Sequence, residues 1–238
     1  MPMISIITVT YNAATSIEET IRSVIANKGE KDEFIVIDGG SADGTIEIIN
    51  KYKADIDHYI IEPDNGIYDA MNKAIKLASG LFLYFINAGD ILLTIPADEL
   101  KSELKSGVKL LAFPILDSSK NIRVPAINWS IKIRNLLPHQ GCFYKRDANI
   151  LYDLKFKVFA DFDLNQKLYL QKQQIKVYDQ PIVATHDLTG ISHNKIHGKE
   201  IFKVVGNNMG FLYKCISFLY FKMDGLNNRI AKTIKNKR

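Results

Sequence analysis

Four short polar clusters follow β-branched runs in the first ninety residues: Thr10-Tyr11-Asn12, Asp38 to Gly44, Glu62 to Gly66, and Asn87 to Asp90. Carboxylates, amides and hydroxyls so placed can bind the base and ribose of a nucleotide. A hard divalent cation takes oxygen ligands, and Asp90 is the only carboxylate in the last cluster. Further on, Asp161 and Asp163 open a helical pattern, where a carboxylate can take a proton from an attacking hydroxyl. Helix starts also favour negative charge for purely structural reasons, and Asp38 and Ser41 are good turn formers. His139-Gln140 and His186 are further polar residues beside apolar strands.

The elements that must position these groups alternate between strand and helix. Met3 to Thr10 reads as a central parallel strand buried on both faces. Thr15 and Glu18 form a capping-box pattern, and Ile17, Ile21, Val24 and Ile25 follow at helical spacing over about 16–27. The unit repeats with a strand at 33–38, a glycine-rich turn, and a helix carrying Ile46, Ile48, Ile49 and Tyr52. A strand at 58–62, a helix at 67–78 and a strand at 81–86 complete this half. Open α/β sheets bind ligands at the carboxyl ends of their strands, where all four clusters lie. Beyond Asp90 the pattern predicts a helix near 97–106, strands near 108–116 and 140–145, a helix near 161–172, and strands within 175–186. A final helix over 196–222 carries Phe202, Val205, Met209, Leu212, Ile216, Leu219 and Met223 at spacings of three and four.

These segments resemble family 2 glycosyltransferases of the GT-A fold, of the kind found in bacterial envelope polysaccharide synthesis. The match runs through Ser5-Ile6-Ile7-Thr8-Val9-Thr10-Tyr11-Asn12, Val36-Ile37-Asp38-Gly39-Gly40-Ser41-Ala42-Asp43-Gly44-Thr45 and Glu62 to Lys73. It continues through Ala78-Ser79-Gly80, Phe85 to Asp90, His139-Gln140 and Ala160-Asp161-Phe162-Asp163. The resemblance implies an α/β fold with a Rossmann-like N-terminal half, an open mixed sheet flanked by helices, and a C-terminal helical appendage. Its domains would be 1–195, divided into a nucleotide-binding half (1–90) and an acceptor half (91–195), and a tail at 196–238.

For function, the resemblance implies an inverting transfer from a nucleotide-diphosphate sugar, a UDP-sugar first, to a glycan or lipid-linked acceptor. Thr8, Tyr11, Asn12, Asp38, Ser41, Asp64, Gly66, Asn72 and Asn87 would line the donor nucleotide. Asp161 would be the general base with Asp163 as its understudy, and His139 and Gln140 would meet the acceptor. The family's usual Asp-X-Asp is reduced here to Asn87-Ala88-Gly89-Asp90. A magnesium or manganese ion would therefore rest on Asp90, with His186 completing the shell. Two other readings use the same residues: a binding module of this fold without turnover, and a dinucleotide-dependent oxidoreductase built on Gly39-Gly40-Ser41-Ala42-Asp43-Gly44. The latter lacks the middle glycine of the usual fingerprint and follows the second strand.

Composition narrows the partners. The chain of 238 residues has a net charge of +5, but from Lys199 onward nine Lys/Arg face two Asp/Glu, leaving the rest slightly acidic. That basic, amphipathic tail fits peripheral contact with an anionic membrane, and no aromatic stacking module accompanies it to indicate nucleic acid. Two cysteines, no secretion signal and no apolar run near the ~20 residues of a membrane span point to the cytoplasm, on or off the inner membrane face. His193 and His197 read as solvated.

Overall fold

The computed structural model describes residues 1–146, 150–187 and 198–235, those from 226 onward by backbone alone. His193 and His197 and the side chains of the basic terminus lie outside the described residues. Strand β1 (Ile4–Thr10) is buried along its whole length. Ile7 and Val9 enter one core and Ile4 and Ile6 the other, so the apolar run on both faces reflects a sheet covered on both sides. Helix α1 (Ile17–Asn27) lays Ile17, Ile21 and Val24 against one face, each fully buried and worth about 1.5–3 kcal/mol. The capping box expected at Thr15 does not form. Ser16 is the N-cap without a side-chain bond, and Ser16 and Ile17 instead donate their backbone N–H groups to the Ala13 carbonyl.

Strand β2 (Glu33–Asp38), helix α2 (Thr45–Lys51), strand β3 (His58–Ile61), helix α3 (Ile67–Leu77) and strand β4 (Phe82–Phe85) follow as the alternation predicts. Strands β2 and β4 flank β1 in parallel and β3 lies beyond β2, so their carboxyl ends share one edge. Chain order reverses between β1 and β4, and that switch leaves a crevice for a ligand.

The second half departs from simple alternation. Helix α4 (Ala97–Ser102) is shorter than expected. The strand expected at 108–116 is two strands, β6 (Val108–Ala112) and β7 (Ile115–Asp117), separated by Phe113-Pro114 and paired in different sheets. Likewise 175–186 divides at a cis Gln180-Pro181 into β10 (Gln174–Val177) and β11 (Ala184–His186). A seven-stranded sheet runs β10-β6-β9-β4-β1-β2-β3, where β9 is Cys142–Lys145. A smaller sheet runs β5-β11-β7-β8, with β5 at Ile91–Leu92 and β8 at Ile122–Arg123.

Strand β9 is antiparallel to both β4 and β6. Residues entering β9 therefore lie at the same edge as residues leaving β4, which brings His139 and Gln140 beside Asn87. Helix α5 (Ala160–Leu170) packs on the sheet, and α6 (Lys199–Met209) contributes Val204 and Val205 to the same core. The long terminal helix breaks at Gly210, with φ of +87°, and restarts as α7 (Phe211–Lys235). No helix among the described residues is long and apolar enough to cross a membrane.

Candidate functional site

At the carboxyl edge, the loops after β1 and β2 are sewn together. Asn12, held at φ of +47°, donates its backbone N–H to Ser41 Oγ at 2.7 Å and accepts the Ala42 N–H at 3.0 Å. Asp38 is fully buried and turned on its own loop: Oδ1 accepts the N–H groups of Gly40 and Ser41 at 2.9 and 2.7 Å, and Oδ2 accepts the Ser41 hydroxyl at 2.6 Å. The amides that a pyrophosphate would need in a dinucleotide fingerprint are thus already satisfied by a carboxylate, which removes the physical basis for the oxidoreductase reading. Tyr11 is 65% exposed at the rim. Gly39 leaves room beneath it, since a Cβ there would lie 2.5 Å from Asp64 Oδ2 and 3.2 Å from the Tyr11 ring. Asp64 also accepts the N–H of Gly66, which opens α3 at φ of +114°. Thr8 lies deeper, its buried hydroxyl without a hydrogen-bond partner.

Asn72 lies apart from this group. Both ends of its amide are taken by the backbone of Tyr152, at 2.9 Å each, which fastens α3 to the segment at 150–152.

Asp90 is the hub of the second cluster and is 3% exposed. Its Oδ1 lies 2.9 Å from His186 Nδ1 and accepts the Asp187 N–H at 3.1 Å. Its Oδ2 accepts from Gln140 Nε2 at 3.0 Å and from the Asn87 N–H at 3.3 Å. The pairing of Thr185 with Ile91 in the smaller sheet sets His186 opposite Asp90. Gln140 therefore grips Asp90, while its carbonyl accepts the Tyr84 hydroxyl at 2.9 Å.

The third cluster surrounds Asp161, which is 7% exposed at the start of α5. Its Oδ1 is 2.9 Å from the Tyr68 hydroxyl and its Oδ2 accepts from Asn135 at 3.2 Å. Burial, and then the Asp161 charge, pushes the Tyr68 phenol well above its ordinary range, so it stays protonated and its hydrogen is shared between Asp161 and the Val158 carbonyl. His139 links the second and third clusters. Its ring packs 5.4 Å from Phe85 and 6.1 Å from Tyr152, and both ring nitrogens are buried without hydrogen-bond partners. Burial lowers its pKa against the opposing pull of the Asp161 and Asp90 charges, which keeps the imidazole neutral. Asp163 points elsewhere, to Lys167 at 2.6 Å and Asn208 at 2.9 Å.

Residues 5–94 match the family model described as Glycosyl transferase family 2. Over this stretch the chain is similar to glycosyltransferase family 2. A PGL/p-HBAD biosynthesis glycosyltransferase of Mycobacterium tuberculosis is 28% identical over 85% of this chain and 83% of its own. The fold is of the GT-A type. S. aureus TarS 1–349 in complex with UDP-GlcNAc superposes with a TM-score of 0.67 at 18% identity, covering 87% of this chain. The mannosyltransferase PcManGT from Pyrobaculum calidifontis, in complex with GDP-Man and Mn2+, gives 0.65 at 17% identity over 85% of this chain. The chain described here spans 66% and 63% of those two solved chains, less than two thirds of each.

Whether this site could hold a divalent cation is a question of donor chemistry. Among the described residues no three His, Cys, Asp or Glu side chains converge as a metal cage. Yet Asn87 Oδ1, in the same tight turn as Asp90, is buried and has no hydrogen-bond partner. An orphaned amide oxygen costs about 1–3 kcal/mol unless something satisfies it. One carboxylate and one amide oxygen suit a hard cation whose remaining positions come from phosphate and water, with His186 set against the carboxylate.

Tyr68, Tyr152 and Asn135 had no assigned role in the sequence. Tyr68 stands inside the matched Gly66 to Asp69 segment, so its neighbourhood signalled it, whereas Asn135 sits in an irregular stretch without any pattern.

Proposed function

We propose that the protein is an inverting glycosyltransferase that moves a sugar from a nucleotide-diphosphate donor to a hydroxyl of a glycan or lipid-linked glycan. Asp161 is its general base. The observation that carries the reading is the pair of buried carboxylates at this edge, Asp90 bonded to Gln140 and His186, and Asp161 bonded to Tyr68 and Asn135. In this reading Tyr11 covers the base, the tied loops at Asn12, Asp38 and Ser41 shape the nucleoside pocket, and Asp64 and Gly66 line its floor. Thr8 supports that pocket from beneath, while Asn72 fastens α3 to the segment at 150–152.

Asp90, Asn87 and His186 would hold a magnesium or manganese ion, which when bound supplies positive charge to the departing diphosphate. The acceptor oxygen attacks the anomeric carbon and a new C–O bond forms as the bond to the diphosphate oxygen breaks. Asp161 takes the hydroxyl proton, and the configuration inverts because attack and departure occur on opposite faces. His139 packs against Phe85 and Tyr152 with its ring nitrogens buried, and Gln140 fixes Asp90. The name of the mycobacterial relative, a PGL/p-HBAD biosynthesis glycosyltransferase, together with the basic tail, supports a place in envelope glycan synthesis.

Calorimetry with UDP, GDP and dTDP, with and without Mn2+ or Mg2+, tests the donor class. UDP is expected to bind best and more tightly with metal. Binding of NAD and none of these nucleotides would end the transferase reading. Tight binding without hydrolysis of any nucleotide sugar would instead favour the non-catalytic module, for which the single carboxylate at Asp90 is the supporting feature.

Gly39 offers a local check. Gly39→Ala sets a methyl group against Asp64 and Tyr11, and is expected to weaken UDP binding about tenfold, the equivalent of ~1.4 kcal/mol, without unfolding the sheet. Unchanged affinity in titration would place the nucleotide away from Tyr11.

A further inference from the structure

Helix α7 is anchored on one side and bare on the other. On the inner side, the Ser217 hydroxyl donates to the Ile133 carbonyl at 2.6 Å, and Arg134 donates to the Tyr220 hydroxyl at 2.7 Å while lying over its ring. The outer side carries Phe211, Leu212, Phe218, Leu219 and Met223, exposed by 78, 69, 53, 56 and 65%. Their spacing keeps them on one stripe of a helix. A groove of about 390 Å³, lined by Phe202 of α6 with Phe211, Cys215 and Phe218, runs along it. Large apolar side chains gathered in this way on a surface mark a contact to be made.

Charge decides the partner. Lys214 and Lys222 are exposed within this stretch, and the sequence continues through Arg229, Lys232, Lys235, Lys237 and Arg238 with Asp224 as the one acid after Phe211. A second copy of the chain would bring the same positive charge to the same face. An anionic bilayer complements both features, since its acyl boundary takes the apolar stripe and its headgroups take the lysines and arginines.

We propose that α7 is a membrane-docking helix, seated on anionic phospholipid through the stripe from Phe211 to Met223. Trp129, 52% exposed and 6.4 Å from the Tyr213 ring, flanks the helix with the side chain that favours a membrane interface. The short stretch that follows Trp129 holds α7 through Ile133 and Arg134, and one residue later Asn135 reaches Asp161. A docked surface thereby lies one loop away from the carboxylate that would receive a lipid-linked acceptor. That last link rests on the transfer reading above, but the docking does not.

Sedimentation of the full chain with vesicles tests it. Pelleting is expected with vesicles containing phosphatidylglycerol, should fall as salt rises, and should not occur with phosphatidylcholine alone. Emission from Trp129, the only tryptophan, should shift to the blue on binding. Leu212→Glu with Leu219→Glu should lower partitioning about a hundredfold while UDP binding is kept. The proposal fails if the wild-type chain ignores anionic vesicles or if the double variant pellets equally. It also fails if the chain is a dimer that this variant dissociates and vesicles do not capture it, for the face then belongs to a second copy. Pelleting by a chain that binds no nucleotide would sink the donor reading and leave the docking in place.

Discussion

Asp161→Asn should lower turnover by about 10²- to 10⁴-fold while leaving the affinity for nucleotide within about twofold. The substitution keeps the size of the side chain and an oxygen to accept the Tyr68 hydroxyl, so the contact with α3 survives. It removes the carboxylate that takes the proton in this reading. Tyr68 cannot replace it, because burial and the neighbouring charge hold its phenol protonated. Asp163 is committed to Lys167 and Asn208. The measurement is release of nucleotide from a donor sugar in the presence of acceptor, beside a binding titration on the same sample. Turnover within tenfold of wild type would show that the base lies elsewhere, and loss of nucleotide affinity would show that Asp161 organises the donor pocket.

The second large effect concerns Asp90, where shape and charge can be separated. Asp90→Ala leaves the Gln140 amide, His186 and two backbone N–H groups without their acceptor in a buried setting. Unsatisfied groups of this kind cost about 1–3 kcal/mol each, although part of the loss will be recovered by water. A net loss of ~3 kcal/mol corresponds to a fall in Tm of about 6–12 °C for a chain of this size. Asp90→Asn keeps the outline and one acceptor oxygen but discards the charge, so it should melt closer to wild type. It should nevertheless lose the increase in UDP affinity that Mn2+ confers. The pair of melting curves and the pair of titrations check this together. An Asp90→Asn protein that still binds UDP more tightly with Mn2+ would move the cation away from Asp90, and with it the roles given to Asn87 and His186.

How much of this could be read from residues alone depended on whether local pattern or tertiary pairing decided the outcome. The first four strands and three intervening helices followed from periodicity because β1, β2 and β4 are buried on both faces and each helix buries one. The polar clusters then fell at one edge by topology. Chain switching between sheets was not legible. Val108 to Asp117 reads as one apolar run, and only the partners of each half reveal that Phe113-Pro114 is a corner. Gly210 ends α6 in a left-handed conformation, yet its neighbours continue the helical spacing without interruption. In the site, Asp161 was visible through its motif, but Asn135 was not, since a single asparagine in an irregular segment has no spacing to betray it. Asp38 shows the reverse case: its position is legible, while the direction of its carboxylate, inward to Gly40 and Ser41, is a matter of coordinates.

Asp90 belongs to the first half of the chain, but of the four partners of its carboxylate only Asn87 does; Gln140, His186 and Asp187 come from the second. A cation or diphosphate drawing on those oxygens competes with the contacts that join the two sheets. By thermodynamic reciprocity, whatever tightens β9 and β11 on Asp90 must alter donor affinity by the same factor that donor binding alters their grip. Occupancy on one side of the crevice and rigidity on the other are then a single coupled equilibrium, and hydrogen exchange at β11 would report donor binding from a strand that need not touch the donor.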